Sequence, residues 1–160
     1  MTVSARWDSF AAVLPAAYPL LEELHPDGAR ELARLDAAAW ACAERGLLAL
    51  CSQRAAQLLG AETAVAAEPS DAAIDPAKRA ELEEWDRSSA FSDAERAHLA
   101  FTEQFVTSVG HVSDEQVAAL LRHRSPDEVR TFVAALYAVE LVQRLDLVAG
   151  AVLDAGEVAA

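Results

Sequence analysis

Four side chains of this sequence could carry nucleophilic or acid–base chemistry. Cys51 supplies a thiol within a stretch rich in Ala and Leu, and His98 supplies an imidazole. Glu68 and Glu140 supply carboxylates. A thiolate is a nucleophile, and imidazole and carboxylate groups transfer protons when their pKa values lie near the working pH. These four residues are therefore the candidate catalytic residues.

Each candidate also has a structural interpretation. Cys51 could be a small buried hydrophobe whose thiol is inert because burial raises its pKa. His98 could lie on the flank of a helix, either hydrogen-bonded or solvated. Glu68 could be an exposed loop residue, since Pro69 follows it.

Two further residues are candidates for ligand binding. Arg144 follows Glu140 by four positions in a very apolar segment, and this spacing allows an ion pair on a helix. Charges in such a segment must be paired or must line a polar cavity, because desolvating them alone is costly. The pair is therefore either a structural or intersubunit contact, or the polar floor of a pocket in which Arg144 holds a carboxylate or oxyanion. His111 precedes a predicted helix start and either belongs to a loop or lines a pocket.

Neither the histidines nor the cysteines follow a metal-binding pattern. H-E-x-x-H and Cys-x-x-Cys are both absent, so we expect no metal and no cofactor. Cys42 and Cys51 are nine positions apart, about 13 Å along a helix, which is too far for a disulfide within it. Two cysteines also do not form the framework of a secreted disulfide-rich domain.

The helices that position these residues begin at three capping boxes. In this motif, a serine hydroxyl and a Glu or Gln three residues later satisfy each other's free backbone N–H groups. The three boxes begin at Ser92, Ser113 and Ser125. They predict helices over residues 92–108, 113–121 and 125–153. The last is apolar around much of its circumference, so we expect it to be buried centrally or to pack on another subunit.

The rest of the chain also reads as helical. A helical region over residues 27–59, with a break near 44–46, should stop at Gly60. Prolines divide residues 7–24 into two short pieces, residues 68–76 read as a surface loop, and a further helix is predicted over 77–85. We therefore predict an all-α bundle of about six to eight helices in one domain. It comprises short N-terminal helices (1–26), a core (27–153) and a tail (154–160).

Composition restricts the partners. The net charge of −13 repels phosphate backbones and anionic lipids, so no nucleic acid is expected as a partner. The N-terminus lacks the basic and apolar blocks of a signal peptide. The longest apolar run, residues 132–139, is too short to span a bilayer. We expect an acidic cytoplasmic protein with no membrane association.

Several short motifs carry a resemblance to a known family. R-A-A-Q-L-L-G occupies residues 54–60, and a W-x-x-S-x-x-F-S-x-x-E-R-A segment covers 85–97. F-T-E at 101–103, G-H-V-S-D at 110–114 and Arg144 follow in order. Together, over residues 47–153, they resemble the carboxymuconolactone decarboxylase and alkylhydroperoxidase D (AhpD)-like family. The resemblance implies an AhpD-like all-α domain that assembles as a homo-oligomer, such as a trimer or hexamer.

The chain departs from this family at the peroxidase site. The peroxidase branch has a glutamate, a Cys-x-x-Cys pair and a histidine, which correspond here to Ala49, Ala61, Ala64 and Glu68. Alanine offers neither a nucleophile nor a proton. The family's thiol peroxidase activity is therefore not expected here.

Two classes of function remain open. The first is a divergent family member that serves as an oligomeric small-molecule-binding or accessory protein. The alternative is an enzyme with altered acid–base chemistry, such as a decarboxylase or lyase, or a residual single-cysteine peroxidase-type oxidoreductase.

Overall fold

Helices make up most of the described chain. The computed structural model describes residues 18–61 and 74–158, with side-chain burial known for 21–61 and 74–152. Within these ranges there is no strand, which confirms the all-α prediction. The helices are α1 (Tyr18–Leu24), α2 (Pro26–Cys42), α3 (Arg45–Leu59), α4 (Pro76–Ala80), α5 (Asp93–Ser108), α6 (Asp114–Leu121) and α7 (Pro126–Val158), with 3₁₀ turns at Leu82–Glu84 and Val109–His111.

All three predicted capping boxes are present. The hydroxyls of Ser92 and Ser113 accept from the backbone N–H groups of Glu95 and Gln116, each at 3.3 Å. Ser125 accepts in the same way from Glu128, so α7 begins where the sequence predicts. Because each box satisfies backbone donors locally, these helix starts need no tertiary contact.

Helix α3 lies at the centre of the fold. It packs against α5 and α7, while α2 packs against α1 and α7, and α6 packs against α5. Eight of the fifteen residues of α3 are buried, because apolar or small residues occupy most of its positions. Its fully buried side chains include Leu48, Ala49, Cys51, Ala55 and Ala56.

The motif residues near 54, 85 and 103 form one polar network. Glu103 accepts from the Arg54 guanidinium and from the Trp85 indole N–H, each at 2.7 Å. The Arg96 guanidinium donates to the carbonyl oxygens of Trp85 and Asp86. These contacts hold the segment between α4 and α5 against the bundle, so the motifs have a structural role here.

The predicted helix over 77–85 is shorter than expected. Helix α4 ends at Ala80, and a 3₁₀ turn with a fully buried Leu82 follows. Arg96 binds the carbonyl groups at the end of this segment, so tertiary contacts replace the helical hydrogen bonds. At the other end of the chain, α7 continues to Val158, beyond the predicted end near residue 153. The predicted loop at 68–76 and the piece before Tyr18 lie mainly outside the described residues.

The break between α2 and α3 is confirmed. Ala43 ends α2 in an extended conformation, and Glu44 precedes α3. Gly60 ends α3 with φ +71°, the left-handed conformation that favours glycine. Within the described chain, no helix is both long and apolar enough to cross a membrane.

We expect Gly60→Ala to lower the free energy of unfolding by about 1 kcal/mol, because a Cβ strains the left-handed conformation. Gly46→Ala is the matched control. It lies in α3, where an added Cβ meets no atom within 4 Å. It should raise stability by up to about 1 kcal/mol. Urea unfolding of both variants checks this, and equal effects would contradict the assignment of Gly60 as the helix stop.

Candidate functional site

A cavity of ≈ 250 Å³ lies where α2 ends and α7 begins, and we call it the His98 cavity. Helix α5 brings His98 to its wall, and the break after α2 brings Cys42 and Glu44. The turn before α7 brings Arg124, and α7 itself brings Phe132. The wall also includes Ala43, Leu47, Asp127, Glu128 and Thr131.

The imidazole of His98 is held by two contacts. Its Nδ1 lies 2.7 Å from the carbonyl oxygen of Ala94, one turn back on α5. Its ring meets the ring of Phe132 edge to face, with centroids 4.7 Å apart and planes at 81°. Of the two sequence interpretations of His98, the hydrogen-bonded one agrees with the structure and the solvated one is wrong, since the side chain is fully buried.

These contacts decide which nitrogen of His98 accepts hydrogen bonds. A carbonyl oxygen only accepts, so Nδ1 carries the proton and Nε2 keeps a lone pair in the neutral ring. Nε2 is buried and has no hydrogen-bond partner among the described residues. A buried acceptor without a partner is unfavourable, so a donor in the cavity would gain by reaching it.

The neutral form of His98 is favoured. Burial lowers the pKa of the imidazole, and the positive charge of Arg124 lowers it further. His123 acts in the same direction, whereas Glu44 and the hydrogen bond to Ala94 oppose the shift. Nε2 is therefore a hydrogen-bond acceptor and a proton acceptor at neutral pH.

The mouth of the cavity is acidic. The lining carries three carboxylates, those of Glu44, Asp127 and Glu128, and one guanidinium, that of Arg124. Asp127 is paired with Arg130, which lies outside the lining. Arg124 pairs with Glu44, and its second nitrogen lies 3.8 Å from Glu128. Its charge is thus already opposed by two carboxylates.

Cys51 does not lie in this cavity wall. Its side chain is fully buried between α3 and α5, where its thiol is hydrogen-bonded to Thr102. Burial raises the pKa of the thiol to about 12, and the negative charge of Glu95 adds to this shift. A neutral, enclosed thiol is a poor nucleophile.

Glu140 and Arg144 form the predicted i,i+4 pair. The Arg144 guanidinium donates to Glu140 Oε1 at 2.6 and 2.8 Å and to the carbonyl oxygen of Val106 at 3.0 Å. Glu140 is buried, while Arg144 is half exposed. Both line a second, open groove of ≈ 600 Å³, which also includes Phe105, Val109 and Tyr137.

The remaining sequence candidates are not brought together. His111 is exposed and its Nδ1 lies 2.6 Å from the hydroxyl of Ser108. Glu68 and Ala64 lie outside the described residues. Ala49 and Ala61 are fully buried, so the positions of the family's glutamate and first cysteine are filled by packed methyl groups.

The sequence interpretation missed Cys42, Arg124 and Phe132 as cavity residues. The helix break at Glu44 and the capping box at Ser125 were visible signals that these segments turn. Neither signal shows that the two turns face each other. Among residues that the structure describes, no group of three or more His, Cys, Asp or Glu side chains could hold a metal ion.

Several solved structures resemble this fold. One is a protein of unknown function from Agrobacterium tumefaciens, provisionally described as the antioxidant defence protein AhpD. It has a TM-score of 0.72 at 17% identity, with 79% of this chain and 90% of that chain covered. The chain has the AhpD-like fold.

The second AhpD-like neighbour is the debrominase Bmp8, in a cysteine-to-alanine variant bound to 2,3,4-tribromopyrrole. Its TM-score is 0.70 at 22% identity, with 86% of this chain and 75% of that chain covered. No family model and no curated protein matches the sequence. At these identities the likeness establishes the fold and no activity.

The two cysteines should differ sharply in reactivity. We expect uncharged iodoacetamide to modify Cys42, which is exposed, and to leave Cys51 unmodified until the protein unfolds. Mass spectrometry should therefore show one adduct per native chain and two in denaturant. Cys42→Ser should remove the native adduct, and Cys51→Ser should not. A native adduct on Cys51 would contradict its enclosure.

Proposed function

We propose that this protein is an oligomeric small-molecule-binding protein, with the His98 cavity as its binding site. The observation that carries the proposal is the buried Nε2 of His98, which has no partner among the described residues and belongs to a ring lining a cavity. Concave sites with apolar walls and a few polar groups are typical of ligand binding.

The state of the thiols supports binding over peroxide reduction. Peroxide reduction needs a thiolate with a depressed pKa and a resolving partner. Cys51 has a raised pKa, and both cysteines are free.

The Bmp8 complex supports a small ring as the ligand. Tribromopyrrole is a small heteroaromatic molecule with an N–H group, held by a protein of the same fold. At ≈ 250 Å³, the His98 cavity is smaller than the ~300–1,000 Å³ usual for ligand sites. We therefore propose a ligand of about one ring.

A stripe along α7 supports self-association. Tyr137, Leu145, Val148 and Val152 recur at helical spacing and are 40–63% exposed. Leu141 continues the stripe and lines the groove beside Tyr137. Apolar side chains that recur on one face of a helix are typical of helix pairing, and a second copy of α7 offers the same surface.

We expect light scattering to show an oligomer for the native protein. Val148→Glu should lower the particle mass measured by light scattering, because burying the new carboxylate in the subunit interface would remove its hydration. Leu121→Glu is the matched control: Leu121 is 42% exposed but lies on α6, so the mass should not change. A monomeric native protein would contradict the oligomer proposal and leave the cavity unaffected.

A second function is favoured by the lone pair of His98. A neutral, buried imidazole that lines a cavity is suited to accept a proton from a bound substrate, as in an acid–base decarboxylase or lyase. The acidic mouth weakens this proposal for the anionic lactones of such reactions. We therefore place it second.

The acid–base proposal predicts a pH dependence. If the protein turns over carboxymuconolactone, the rate should fall as the pH drops through the pKa of His98, because only the neutral ring accepts a proton. That pKa lies below the ordinary value of 6.5. This is checked by steady-state rates measured between about pH 4 and pH 8, a range that spans the ordinary histidine pKa of ~6.5. Both His98→Asn and His98→Gln should abolish turnover; full activity in either variant would rule out His98 as the base.

A further inference from the structure

We propose that the His98 cavity selects uncharged ring compounds that donate an O–H or N–H to Nε2 of His98, and that it discriminates against carboxylates. This inference rests on the proposed binding function and names the class of ligand. Its grounds are the tautomer of His98, the apolar side chains within the wall and the charged residues of the lining.

The first ground is that each ring nitrogen of His98 has a single role in hydrogen bonding. Because Nδ1 donates to the carbonyl oxygen of Ala94, Nε2 can only accept. A ligand without a donor would leave this buried lone pair unsatisfied. A ligand with a donor removes that penalty, so the preference is for O–H and N–H groups.

The second ground is the shape and polarity of the wall. Leu47 and Phe132 are buried apolar residues of the lining, and the Phe132 ring already meets the His98 ring edge to face. Aromatic rings pack well in such offset and edge-to-face arrangements. A planar ring whose donor points to Nε2 therefore has an apolar surface to cover its faces.

The third ground is electrostatic. An incoming carboxylate would approach Glu44 and Glu128 and would find Arg124 already paired with them. It would have to displace one of these carboxylates from the guanidinium. Asp127, in the same lining, is paired with Arg130. The net charge of −13 on the chain adds a repulsive field.

Cys42 supplies a reporter within the same wall. Its thiol donates to the carbonyl oxygen of Ala39 at 3.5 Å and lines the cavity with His98. A ligand in the cavity should slow alkylation of Cys42. Cys51 is enclosed elsewhere, so it does not contribute to the native signal.

The experiment compares three probes of similar size on the full chain. Phenol is uncharged and has an O–H donor, anisole lacks the donor, and benzoate carries a negative charge at neutral pH. Protection of Cys42 from iodoacetamide is measured against probe concentration by mass spectrometry. We expect phenol to protect at a concentration roughly tenfold lower than anisole or benzoate, the effect of about one hydrogen bond.

Two variants test the role of Nε2. His98→Asn keeps an N–H near Ala94 but removes the acceptor at Nε2, so phenol should lose its advantage over anisole. His98→Gln places an amide oxygen near the Nε2 position, so part of the preference should remain. Circular dichroism checks that each variant is folded, and the comparison of probes on the native protein stands without either variant.

The outcomes separate this inference from the function on which it rests. Equal protection by phenol and anisole, or stronger protection by benzoate, would overturn the proposed ligand class while leaving small-molecule binding in place. An unchanged phenol preference in folded His98→Asn would also overturn it. If no probe protects Cys42 up to its solubility limit, both the ligand class and the binding function at this cavity fail.

Discussion

The close packing of α3 against both α5 and α7 is the constraint on which the rest of the structure depends. A helix can approach two neighbours closely only if its contact positions carry small or well-fitted apolar side chains. Ala49, Cys51, Ala55 and Ala56 meet this need and are fully buried. The enclosure of Cys51 follows from this packing, and so does the raised pKa of its thiol. In this protein the cysteine of the central helix is thus part of the core.

The same packing leaves the His98 cavity at one end of the bundle. Helix α3 begins after the extended residue Ala43, and α7 begins after the turn that carries Arg124. The space between these two helix starts is bounded by α5, which holds His98 by a hydrogen bond within the helix itself. The imidazole therefore has a defined tautomer before any ligand arrives, and its free acceptor is buried within a ring that lines the cavity. Such preorganisation reduces the entropy lost on binding.

In this AhpD-like fold, the polar groups do not lie where thiol chemistry would require them. Ala49 and Ala61, where the sequence resemblance places two members of the peroxidase relay, are buried side chains of the core. Polar residues of the shared motifs serve the architecture, since Arg54, Trp85 and Glu103 form a network between helices. The open groove beside Glu140 and Arg144 adjoins the apolar stripe of α7, so this ion pair borders the proposed subunit interface. A fold can keep its framework while its sites change, because packing and chemistry depend on different residues.

The sequence by itself determined the helical architecture, three helix starts, the stop at Gly60 and the absence of the peroxidase thiols. These features depend on single residues or on residues a few positions apart. They are a helix cap and its partner, the repeat of apolar residues along a helix, and the absence of a cysteine side chain. It also predicted the Glu140–Arg144 pair, whose partners are one helical turn apart. Only the tertiary structure decided that His98 is buried and that Cys42, Arg124 and Phe132 line the same cavity. It also decided that α4 ends at Ala80, because Arg96 binds carbonyl groups of the segment that follows. The physical reason is that these contacts join different elements of the chain, from Arg96 and Trp85, 11 positions apart, to Cys42 and His98, 56 positions apart. Such elements meet only when the bundle packs, and a local sequence pattern does not show which helix faces will be in contact.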